Sequence, residues 1–70
     1  MRLFDRYPTL RRVIVTTKTE RSFRGVLWAW KGGYLVLRQA EMLRAKGETL
    51  PLPGEVLIDA ANVDYMQVVS

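Results

Sequence analysis

Between Gly54 and Val69 the chain carries two β-rich runs separated by a tight polar corner, and this stretch narrows the available folds more than any other. Val56, Ile58 and Ala60 fall on one face of an extended segment and Glu55, Leu57 and Asp59 on the other, because successive strand side chains point to opposite sides. At Asp59-Ala60-Ala61-Asn62 the alternation stops. Asp and Asn bond nearby backbone groups and Asn tolerates unusual dihedrals, so a short turn is expected before a last strand over Val63 to Val69. The pairing partners of these runs are expected upstream, in Val13 to Leu37.

Upstream the same signals repeat. Arg11 to Lys18 is dense in β-branched residues and reads as a first strand. Thr19-Glu20-Arg21 is short and polar enough for a hairpin connection, after which Ser22 to Trp30 alternates again. Phe23, Gly25, Leu27 and Ala29 are expected on one face, with Arg24, Val26, Trp28 and Trp30 on the other. Gly25 inside a strand marks a bulge or a sharp bend. Lys31-Gly32-Gly33 reads as a turn, and Tyr34 to Ala40 as a third strand that can run on to Leu43. Ala45 to Glu48 and Leu50 to Gly54 are expected as loop, since Pro51 and Pro53 cannot donate to a ladder and are barred from a central strand. The fourth strand then starts at Glu55. Leu3, Phe4, Tyr7 and Leu10 recur at helical spacing, so a short helix over Met1 to Tyr7, limited by Pro8, is expected to cap the body. These elements describe one domain over residues 1–70: a helical or extended segment over 1–9, and over 10–69 an all-β, strongly bent, five-stranded antiparallel open barrel.

A chain of 70 residues buries a smaller fraction of its surface than larger proteins do, and needs help to be stable. With no Cys and no His, disulfides are excluded and only carboxylates remain as strong metal ligands, which leaves association with other chains. The same absence removes the Ser-His and Cys-His pairs of nucleophilic catalysis, so no enzyme activity is expected. Asp59 and Asp64 flank a turn, where capping is a simpler role than holding a cation, and neither a metal nor a cofactor is expected. No apolar run approaches the ~20 residues needed to cross a bilayer, so no membrane partner is expected and the chain reads as cytoplasmic. Charge is divided along the sequence. All eleven Lys and Arg lie between Arg2 and Lys46, whereas Glu48, Glu55, Asp59 and Asp64 follow Gly47 with no base among them. A basic half of this kind meets phosphates, an acidic partner, an acidic face of another copy, or simply solvent.

Taken in this order, the elements resemble the Sm/LSm-like family. Phe23-Arg24-Gly25-Val26-Leu27 and Tyr34-Leu35-Val36-Leu37 echo the first motif of that family, and Val56 to Val63 echoes the second. The resemblance implies rings in which the fourth strand of one subunit pairs with the fifth of the next. It therefore implies an oligomer interface at Glu55, Val56, Leu57, Ile58, Val63, Tyr65, Met66, Gln67 and Val68. It departs from the family where uridine-rich RNA is bound: Lys31 or a glycine stands where an acidic residue is expected, Tyr34 replaces the base-contacting Asn, and Asp59-Ala60 replaces an Arg-Gly pair. An aspartate repels a phosphate that an arginine would bind. The Arg-Gly-Val-Leu-Trp and Pro-Gly-Glu-Val-Leu-Ile-Asp phrases are also similar to small Sm-like proteins of tailed bacteriophages.

Two functional expectations follow. In the first, the barrel is a non-catalytic module that self-associates into a ring and serves as a binding or assembly component, with exposed strand edges satisfied by other copies or other assembly proteins. In the alternative, Arg24, Trp28, Trp30, Lys31, Tyr34 and Asn62 form a basic-aromatic surface for single-stranded RNA, stacking on unpaired bases. The competing account of the tryptophans is that they fill a subunit interface or lie under the N-terminal segment.

Overall fold

The computed structural model describes residues 9–70 as one antiparallel sheet of five strands. The strands are β1 (Arg12–Thr17), β2 (Ser22–Lys31), β3 (Tyr34–Leu43), β4 (Thr49–Asp59) and β5 (Val63–Val68), in the order β4-β3-β2-β1-β5. The two C-terminal runs do not pair with each other. β4 pairs with β3, and β5 with Val13 to Thr17 of β1, so both reach back to upstream strands. No helix among the described residues is long and apolar enough to cross a membrane. The helix expected over Met1 to Tyr7 lies outside the described residues.

Alternation puts Val13 and Val15 of β1, Leu27 of β2, Leu35 and Leu37 of β3 and Ile58 of β4 on the concave face, where they are buried together with Ala40. Phe23, Val56, Val63 and Met66 pack against that cluster. Each of the five fully buried side chains, Val13, Val15, Leu27, Leu35 and Leu37, contributes about 1.5–3 kcal/mol by leaving water. Thr17 is the one polar residue among the buried ones described, and its hydroxyl is bonded to the Thr19 hydroxyl and the Arg21 carbonyl.

The sheet folds along a line of irregular positions. Gly25 of β2 faces both Gln39 and Ala40 of β3, and Gln39 in turn faces Pro53 and Gly54 of β4, where the register slips. A Cβ at Gly25 would sit 3.0 Å from the Arg38 carbonyl oxygen and 3.1 Å from the Ala40 Cα, so glycine is required there by close approach. Gly54 has φ 81°, a conformation that side chains disfavour. At the far hairpin, Gly32 and Gly33 both have positive φ, as a two-residue turn between β2 and β3 demands.

Two sequence expectations need correction. Leu50 to Gly54, expected as loop, belongs to β4. The prolines are tolerated because β4 is a terminal strand, where a missing amide facing outward breaks no ladder bond. The second correction concerns Trp30. Trp28 is an extra residue with no partner in β3, so the alternation resets after it: Ala29, expected on the face of Leu27, pairs with Val36, and Trp30 falls in register with the core residues Leu35 and Ile58. Trp28 and Trp30 therefore do not share a face.

Candidate assembly edges and basic-aromatic surface

Among the described residues β4 and β5 are the two ends of the sheet, and each pairs with one neighbour. Of the residues expected at an interface, Val56, Ile58, Val63 and Met66 are turned toward the chain's own core. Glu55, Leu57, Tyr65, Gln67 and Val68 are exposed. Leu57 and Tyr65 stand out, at 57% and 54% exposure for large apolar or aromatic side chains on terminal strands.

On the convex face the predicted nucleic-acid residues are largely engaged within the chain. Arg24 opposes Glu41, and its Nε and Nη2 both donate to one carboxylate oxygen, at 2.8 and 2.5 Å. That hydrogen bond holds the Glu41 carboxyl below its usual range, against the opposing effect of desolvation. One strand along, Arg38 donates to Glu55 at 3.0 and 2.7 Å. Its guanidinium lies 3.9 Å from the ring centroid of Trp28, so one ring face is covered.

At the hairpin end two of the remaining candidates converge. Lys31 opposes Tyr34, and Tyr34 opposes Asp59. The Ala60 amide donates to the Gly33 carbonyl (2.9 Å), drawing the hairpin tip against the 3-10 corner Ala60–Asn62. Asp59 caps that corner by accepting from the Ala61 amide at 2.9 Å, and the Asn62 carbonyl accepts from the Lys18 amide at 2.8 Å. Lys31 and Tyr34 thus meet at the hairpin end, with Trp30 one register step inside, whereas Asn62 lies at the β1–β2 connection, where it lines a cavity with Thr17, Arg21 and Phe23. Arg24 and Trp28 sit apart, on the convex face.

Sequence reasoning missed Arg38, Glu41 and a cavity of about 220 Å3 lined by Thr17, Arg21, Phe23, Ile58 and Asn62 among others. The ion pair Arg24–Glu41 was legible in principle. The bulge at Trp28 and the one facing Gly25 compensate, so the register returns to the one the Gly32-Gly33 turn dictates. The cavity had no local signal, since it joins the β1–β2 connection to the end of β4.

The Pyrococcus abyssii Sm protein, solved in complex with a uridine heptamer, is 28% identical, with a TM-score of 0.81 over 99% of this chain and 100% of that one. The P. aerophilum SmAP1 heptamer is 22% identical, with a TM-score of 0.76 over 87% of this chain and 81% of that one. A heptameric archaeal Sm protein is also 22% identical, with a TM-score of 0.75 over 87% and 88%. No family model and no curated protein matches the sequence. The chain has the Sm-like fold.

Proposed function

We propose that this chain is a non-catalytic module that assembles with copies of itself into a ring, β4 of each subunit adding to β5 of the next, and that the ring serves as a binding or assembly platform. The observation that carries this reading is the strand order: among the described residues β4 and β5 end the sheet with one side of each strand unpaired, and both edges bear exposed apolar side chains. The archaeal neighbours of the same fold that are heptamers support it. Native mass spectrometry is the test. A single closed multiple of the subunit mass is expected, and a monomer at every concentration overturns the proposal. A cytoplasmic ring agrees with the absence of cysteine; assignment to a phage particle rests on the sequence phrases alone.

A second reading, single-stranded RNA binding, is favoured by the neighbour solved with a uridine heptamer and by Lys31 and exposed Tyr34 at the hairpin end. Asp59 opposes phosphate at that end, and Arg24 and Arg38 are already paired with Glu41 and Glu55. Titration of labelled oligo-U and oligo-A at two salt concentrations separates the readings. Salt-sensitive, base-selective binding favours RNA, since each phosphate contact releases counterions.

A further inference from the structure

Along an antiparallel ladder bonded and non-bonded pairs alternate, so one hydrogen bond fixes which residues turn their amides outward. The Ala60 amide donates to the Gly33 carbonyl, which makes Ile58 and Val56 the residues bonded to β3. Glu55, Leu57 and Asp59 therefore present backbone N–H and C=O to the free edge. The Arg44 amide donates to the Glu48 carbonyl, and the same alternation turns Thr49, Pro51 and Pro53 outward. Two of those three have no N–H to offer. On β5 the Val69 amide donates to the Arg12 carbonyl, so Tyr65 and Gln67 bond β1 while Met66 and Val68 face outward. Asp64, the extra residue where the register shifts, is the next position along that edge.

Three outward positions on β4 thus match three on β5, bounded by Pro53 at one end and the 3-10 corner at the other. An antiparallel junction uses all of them in one register only: Glu55 with Val68, Leu57 with Met66, and Asp59 with Asp64 of the partner subunit. Side chains directly opposite share a side of the sheet. Leu57 is convex and Met66 concave, so the convex face of one subunit continues into the concave face of the next. The partner subunit's Tyr65 is then placed opposite Ile58, at the 220 Å3 cavity. Phe23 and Ile58 give that cavity an apolar wall, and Thr17, Arg21 and Asn62 give it polar groups suited to a phenol hydroxyl.

Resting on the ring reading above, we propose that the proline half of β4 confines the junction to this register and that Tyr65 of the partner subunit fills the cavity. The chain has no Cys, which makes disulfide trapping clean. In the ring, a Val56→Cys, Gln67→Cys double variant faces its own pair across the junction at a separation disulfides accept and is expected to give a ladder of linked subunits on oxidation. A Val56→Cys, Tyr65→Cys variant, two residues out of register, is expected to give at least tenfold less. Preferential linking of the second pair, or none by the first in a ring of intact native mass, overturns the register. Tyr65→Ala is expected to weaken assembly at least tenfold in a dilution series, with Tyr34→Ala unchanged. Equal effects of the two overturn the cavity assignment. A monomeric wild-type chain overturns the ring reading itself.

Discussion

Arg38 holds its guanidinium 3.9 Å from the ring centroid of Trp28 while donating two hydrogen bonds to Glu55, so one side chain on β3 links β2 to the terminal strand β4. The pair is solvent-exposed, which limits its worth to about 1 kcal/mol. Arg38→Ala is expected to lower unfolding stability by about that much and to raise acrylamide quenching of tryptophan fluorescence. Arg38→Lys is not expected to restore protection, because a compact ammonium lacks the planar surface that covers the ring.

Gly25 lies where the sheet folds back on itself, against backbone atoms that cannot rotate away. Gly25→Ala is expected to cost about 1–3 kcal/mol, the range for overpacking, read as a lower urea midpoint with the slope unchanged.

How far the fold was readable depended on whether a position answered to its immediate neighbours. Gly25, the Gly32-Gly33 turn and the Asp59 cap are local solutions to local backbone demands, and each was legible. The place of Trp30 was not, because one unpaired residue at Trp28 reverses every later face, and nothing nearby in the sequence announces it. Pro51 and Pro53 exclude a central strand, but the same residues do not tell a loop from a terminal strand, because whether a strand is terminal is a property of the whole sheet. The candidate site divided in the same way. Lys31 and Tyr34 are brought together by the Gly32-Gly33 turn between them, whereas Arg24 meets Glu41 across two bulges that the turn alone does not announce, and Asn62 is held at the distant β1–β2 connection.

The Arg24–Glu41 contact carries a pH dependence of known sign. Glu41 is held below its ordinary value of 4.5 in the folded chain, so its contribution is complete above that value and fades as pH falls below it. Unfolding of the wild type and Glu41→Gln, compared from neutral pH downward, is expected to show a stability gap that closes in acid. A gap that widens in acid would refute the assignment.

Restoring amides to the terminal strand should release a restraint on association. Pro51→Val with Pro53→Val gives the Thr49–Pro53 half of β4 two new outward donors, and an unblunted edge recruits further strands. Light scattering is expected to show larger, polydisperse species than the wild type forms. An unchanged distribution would mean that these prolines do not police the edge.

Because the sheet ends in two dissimilar strands, a junction between them is head-to-tail, and each added copy leaves one strand of either kind still unmatched. An incomplete arc is never chemically finished; it gains its last contact only on closure, without immobilising another molecule. For the proposed ring, intermediates should therefore be scarce at equilibrium, and dilution should convert whole rings into free chains with few species in between.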